Sequence, residues 1–175
     1  MLLAIFAPTL AFSQDLKLKN TRSGIFSLGT RSTVSAFNGH KDESPGFGIG
    51  GQFRLELADR VNSDWFFDYI TSDISDLATR TDYHIGWSVL YYLTEDPSTR
   101  LRPYILAGHC FDYSIFQDNL NLTNRKERFS SAVQGGAGVH VNLTPKLDLS
   151  FVTQYMLHLG NEIHAEVDNG SLQLR

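Results

Sequence analysis

The stretch Lys146-Leu147-Asp148-Leu149-Ser150-Phe151-Val152-Thr153-Gln154-Tyr155-Met156-Leu157-His158-Leu159 decides the fold. Its odd positions are apolar except at Thr153, and its even positions are mostly polar. Because successive side chains of a β-strand point to opposite faces, this alternation predicts a strand with one apolar and one polar face. In a barrel wall, Leu149 and Phe151 would then face lipid, and Ser150 would face the lumen.

The same period of two recurs along the rest of the chain. It marks six further segments, at 25–35, 47–57, 65–72, 82–93, 102–116 and 129–141. Each segment has about the 9–11 residues that a tilted membrane strand needs, or slightly more. The segment 102–116 is too apolar on both faces to assign its inner side.

The connections between these segments alternate in length and polarity. The tight ones are 59–64 and 144–146, and the longer polar ones are 38–45, 117–128 and 162–170. Short turns at one rim and longer loops at the other are typical of outer-membrane barrels, although 94–101 is long for the short-turn rim. Residues 171–175 resemble the start of an eighth strand that stops early. The prediction is an all-β, antiparallel up-and-down, eight-stranded transmembrane barrel with a truncated last strand.

The N-terminus has the features of an export signal. Residues 1–12 are almost wholly apolar, and Ala11 and Ser13 supply small residues for cleavage before Gln14. We therefore assign 1–14 to a signal-like segment and 15–175 to the barrel domain, with a buried N-terminal strand as the alternative. Because no later stretch offers about 18 uncharged apolar residues, an integral membrane protein of this sequence must be a barrel. The expected location is the outer membrane.

Composition narrows the class further. The formal net charge of −4 gives no basic surface for nucleic acid. A content of 14 Gly and only 5 Pro accords with a strand-rich chain, and the single cysteine excludes an intrachain disulfide.

Alternation by itself fits both a membrane barrel and a soluble one. Three features favour the membrane barrel, the first being the signal-like N-terminus. Small residues lie on the polar faces, namely Gly48, Gly50, Gly86, Gly136 and Gly138. Aromatic residues gather near strand ends, as in interfacial bands: Trp65, Phe67, Tyr91 and Tyr104 at one rim, and Tyr83, Tyr113, Phe116 and Phe129 at the other. A soluble lipocalin-like carrier is the alternative, and it would need an apolar cavity.

Two motifs carry a resemblance to a known family. Arg102-Pro103-Tyr104-Ile105-Leu106-Ala107-Gly108 resembles a strand entry of OmpA-like and opacity-type outer-membrane barrels. Gly135-Gly136-Ala137-Gly138-Val139, followed by Leu143-Thr144-Pro145-Lys146-Leu147-Asp148-Leu149, is similar to their penultimate hairpin. The resemblance implies a Gram-negative porin-family protein with a structural or surface-interaction role. It also implies contact with outer-membrane lipid and lipopolysaccharide, and insertion by the barrel-assembly machinery. The Ser13-Gln14 pair suggests a Bacteroidetes-type source.

The polar faces predict a network inside the barrel. Its members are Arg31, Arg54, Glu56, Asp68, His84, Gln134, His140, Asp148 and Gln154. Because unpaired buried charges are costly, we expect Arg54 and Glu56 to pair across strands, with Asp68 and Arg31 as the leading candidates. A lumen of eight strands is filled by side chains. A gated ion path is the alternative.

Two chemical functions are disfavoured by the spacing of the residues that they would need. His158, Glu162 and His164 would share a face if the strand that begins at Lys146 continued beyond Gly160. Their spacing matches no strong metal motif, so we expect no metal or cofactor. A lipid A deacylase-like enzyme would need a serine two residues after the histidine, and that position is Gly160. The charged loops identify no surface ligand.

Overall fold

The computed structural model describes residues 23–36, 44–74, 78–119, 124–159, 165–168 and 171–174, the last two ranges by backbone alone. Seven strands form one sheet: β1 Phe26–Ser35, β2 Gly46–Ala58, β3 Val61–Ile74, β4 Ala78–Tyr92, β5 Leu101–Asp118, β6 Arg125–Thr144 and β7 Leu147–Leu159. Each pairs antiparallel with the next strand in chain order. Within these ranges no helix is long and apolar enough to cross a membrane.

The predicted all-β, up-and-down architecture is confirmed, with differences in strand length. β3 begins directly after a two-residue turn at Asp59 and Arg60, and β5 and β6 reach 18 and 20 residues. Ser171–Leu174 is a strand, β9, but it pairs with β8, Ala165–Asp168, in a separate two-stranded sheet. The main sheet of the described chain therefore has seven strands rather than eight. The signal-like segment 1–14 lies outside the described residues, as do Glu162 and His164.

The connection between β4 and β5 is held by its own hydrogen bonds. The Asp96 carboxylate accepts from the Ser98 hydroxyl at 2.7 Å and from the Ser98 backbone N–H at 2.8 Å. These bonds hold the pKa of the Asp96 carboxyl below its usual range. The turn is therefore ordered despite its length.

The outer face of the sheet is apolar. Odd-numbered residues of β2 to β7 carry it, and Ile49, Trp65 and Phe151 are 71%, 52% and 60% exposed. A soluble protein would bury side chains of this kind against a core. The soluble lipocalin-like alternative is therefore wrong, because this sheet directs its apolar residues outward.

The inner face carries the even-numbered residues of β2 to β7 and the odd-numbered residues of β1. The sequence did not show which side of β5 faces inward. In the structure its Tyr104, Asp112 and Phe116 all point inward and are buried. The placement of Tyr104 and Phe116 in the interfacial bands was wrong. Tyr104 fits inside because its neighbour on β6 is Gly138, where an added Cβ would stand 2.5 Å from the tyrosine ring.

The sheet is strongly curved. Side chains of β7 reach those of β2, β4 and β5 across the interior, for example in the pairs Arg54–Asp148, His84–Met156 and Tyr104–Ser150. This curvature forms a half-barrel whose concave side is the inner face.

Candidate functional site in the interior

A charge pair spans the first three strands. The Arg31 Nε lies 3.0 Å from Asp68 Oδ1, with both side chains largely buried. Arg31 and Asp68 are not register neighbours, because Gly50 of β2 lies between them. Glycine leaves the space that the arginine crosses. The Arg31 guanidinium also lies 4.4 Å from the centre of the Phe66 ring, a cation–π distance.

A second charge pair joins the two sides of the interior. Arg54 Nη1 of β2 donates to Asp148 Oδ2 of β7 at 3.0 Å. The expected partner, Asp68, is therefore wrong for Arg54, because Asp68 pairs with Arg31. Curvature of the sheet brings β7 closer to the Arg54 guanidinium than strand order suggests. Glu56 is half-buried on the same face, and its backbone N–H donates to Ile25 O at 2.8 Å.

Asp112 connects two histidines. Its Oδ1 lies 2.7 Å from His84 Nδ1, and its Oδ2 lies 2.8 Å from His158 Nε2. His84 faces Asp112 directly in the β4–β5 register, whereas His158 extends over the small Ala132 of β6. Sequence reasoning missed Asp112, because the apolar residues on both faces of β5 hid which side was inward.

Sulfur atoms lie next to this histidine–carboxylate group. His84 Nε2 is 3.1 Å from Met156 Sδ, and the Cys110 thiol points at the same sulfur from 3.9 Å. Donor atoms of His84, Cys110 and Asp112 all lie within 4.8 Å of one another. This combination was not expected from the sequence, since His84, Cys110 and Met156 come from three strands.

The end of the interior nearest the short turns is built from aromatic and polar groups. His140 Nδ1 is 2.8 Å from the Tyr92 hydroxyl, and that hydroxyl accepts from the Asn62 side-chain amide at 3.0 Å. The Arg102 guanidinium stacks 3.8 Å from the centre of the Tyr92 ring and donates to Asp59 O at 2.7 Å. Arg102 and Tyr92 were not among the predicted interior residues.

The other predicted residues also lie on the inner face. Gln134 donates to Ser88 Oγ at 2.7 Å, and Gln154 is half-buried opposite Gly136. Arg80 and Asp82, which were not predicted, pair at 2.9 Å near the loop rim. The structure thus forms several local groups rather than one network, with Glu56 and Gln154 half-buried on the same inner face.

An antiparallel meander with an apolar convex face and a charged concave face defines a β-barrel embedded in a membrane. Comparison with protein families specifies this further. The chain matches the family described as outer membrane protein beta-barrel domain over residues 1–175, and it belongs to that family. It is accordingly an integral protein of the outer membrane. No curated protein and no solved structure matches it significantly.

Proposed function

We propose that this protein is a structural and surface-displaying barrel whose interior gives solutes no continuous path across the membrane. The observation that carries the proposal is the occupation of the concave side by paired side chains. Arg31–Asp68, Arg54–Asp148 and the Asp112 group all lie on this side of the sheet. Closed barrels of about eight strands have an interior just wide enough for side chains to fill.

Aromatic side chains support the same conclusion. Phe66, Tyr92 and Tyr104 are buried on the inner face, and Tyr92 and Tyr104 pack edge to face with ring centres 5.7 Å apart. Rings of this size take up cross-section that a water-filled path would require. Phe66 lies beside Gly86 and Tyr104 beside Gly138, so these rings narrow the interior locally.

The surface role rests on the β5–β6 hairpin. Its strands of 18 and 20 residues exceed the 9–11 or so that cross a membrane, so the hairpin extends well past the lipid. Its end is charged and internally bonded: Arg125 pairs with Glu127 at 2.7 Å, and the Tyr113 hydroxyl donates to Glu127. In this proposal the hairpin is presented to the exterior, the outer face contacts lipid and lipopolysaccharide, and the barrel-assembly machinery inserts the chain.

The closed interior is tested by conductance in planar lipid bilayers. We expect the folded protein to give no stable conductance steps under conditions in which a general porin conducts. The double variant R54A/D148A should produce brief openings, because it removes the contact between β2 and β7. The control is R60A/E95A, which removes a pair 3.8 Å apart near the turns with Glu95 strongly exposed, and should stay silent. Stable conductance by the unmodified protein would contradict the proposal.

Surface display is tested with an inserted epitope. A short tag placed between Asn119 and Asn124 should be recognised by antibody on intact cells, because this connection ends the long hairpin. The same tag between Pro145 and Lys146, in the short β6–β7 turn, should be recognised only after permeabilisation. The reverse result would invert the orientation and refute the surface role of the hairpin.

A further inference from the structure

We propose that the interior binds a soft monovalent metal ion, Cu(I), through His84, Cys110 and Met156. We call these three residues the soft-donor cluster. They lie on the inner faces of β4, β5 and β7, close to midway along the sheet. The proposal is independent of the structural role proposed above.

The distances suit one shared ion. His84 Nε2 and Met156 Sδ are 3.1 Å apart, and Met156 Sδ and Cys110 Sγ are 3.9 Å apart. A metal ion bonds nitrogen at about 2.0–2.1 Å and sulfur at about 2.3 Å, so donors of one ion stand roughly 3–4.5 Å apart. Small rotations of the Met156 side chain are enough to receive it, since methionine has three rotatable bonds.

Asp112 supplies the support that a ligating histidine usually has. It binds the Nδ1 of His84 at 2.7 Å, which leaves Nε2 directed at Met156 Sδ. A carboxylate in this position fixes the ring and raises its strength as a ligand. The second Asp112 oxygen is held by His158 at 2.8 Å, so the carboxylate is itself anchored.

The chemistry of the donors selects the ion. Thiolate and thioether ligands prefer Cu(I), whereas structural zinc is held by thiolates, imidazoles and carboxylates. Here one donor is the thioether of Met156, and both Asp112 oxygens are already taken by histidines. Binding releases the thiol proton of Cys110, and any proton on His84 Nε2, to the solvent; His84 keeps its Nδ1 proton towards Asp112, and the resulting Cu(I)–thiolate unit has no net charge. A neutral unit is less costly in a buried site than a divalent ion.

The ion can reach the cluster from the interior. Met156 borders the concave space together with His84, Asp112 and His158, while Cys110 lies fully buried behind them. Phe66 and Ala132 pack against Cys110 and exclude water from the sulfur side. The site is thus open on one side and dry on the other.

Anaerobic titration of the detergent-folded protein with Cu(I), against a chromophoric Cu(I) chelator, tests the proposal. We expect one ion per chain. C110S and M156L should each weaken binding at least tenfold, and D112N should weaken it about 10–100-fold, as loss of a supporting carboxylate typically does. The matched control is H140Q, which alters another buried interior histidine and should bind as the unmodified protein does. Heat-modifiability gels establish that each variant is folded.

Two results would overturn the site. One is Cu(I) binding by the unmodified protein no tighter than by a folded C110S/M156L double variant. The other is Zn(II) binding of equal affinity that survives M156L and is lost with D112N, which would assign the residues to a harder cation. Silver(I), a redox-inert soft ion, should reproduce the Cu(I) pattern across all variants.

Discussion

Replacing Phe151 with arginine should destabilise the membrane-inserted barrel by roughly 2–4 kcal/mol, the typical cost of a lipid-facing arginine at mid-depth. Phe151 lies near the middle of β7, and its side chain is 60% exposed on the outer face. An exposed apolar side chain of this size is unfavourable in water but favourable in lipid. The measurement is a denaturant titration of the protein in lipid vesicles, which gives the free energy of unfolding of each variant.

The matched control is Q154R on the same strand. Gln154 lies on the inner face beside Gly136, and an arginine there extends into the polar interior rather than into lipid. We expect its effect to be clearly smaller than that of F151R. Equal losses for the two variants would mean that the outer and inner faces of β7 are not distinguished by lipid.

Strand positions and most facings could be predicted from the sequence because a period of two follows directly from strand geometry. The assignment of Phe151 outward needs only the alternation of its neighbours. The facing of β5 could not be predicted in this way, because its inner positions include Leu106, Cys110 and Phe116, which are as apolar as its outer ones. Alternation carries no signal where both faces are apolar.

The ion-pair partners of the charged residues were harder to predict from the sequence. Strand order makes Asp68 the natural candidate for Arg54, since β2 and β3 are adjacent. The observed partner, Asp148, is 94 residues away along the chain and five strands away in the sheet. Only the curvature of the sheet brings them together, and curvature depends on the combined twist and stagger of all strands.

The soft-donor cluster could not be predicted from the sequence either. His84, Cys110 and Met156 have no common spacing, and no motif marks them. Small residues made the contacts possible: Gly86 and Ala132 flank Cys110 in the register and leave room for the larger groups. Side-chain volumes across neighbouring strands must be known before such a site becomes visible.

Adding one methyl group at Gly50 is expected to destabilise the barrel by roughly 1–3 kcal/mol or more, the usual cost of overpacking. A Cβ there would stand 2.1 Å from Phe67 O and 2.2 Å from Asp68 Oδ1. The backbone oxygen cannot move aside without disturbing the β2–β3 pairing. Displacing the Asp68 carboxylate would also weaken its contact with Arg31, and broken buried ion pairs are strongly destabilising.

Gly51 provides the matched control for G50A. It is the next residue of the same strand and faces outward, where the nearest atom to an added Cβ is Gly29 O at 3.8 Å. Neither glycine has a positive φ angle, so both substitutions are compatible with the backbone and differ in available space. G51A should be neutral or stabilise by about 0.4–1 kcal/mol, because alanine reduces the entropy of the unfolded chain. Denaturant unfolding of both variants in the same vesicles makes the comparison. If G50A unfolds at the same denaturant concentration as G51A, the Arg31–Asp68 pair does not need the close approach of β2 and β3 that the structure shows.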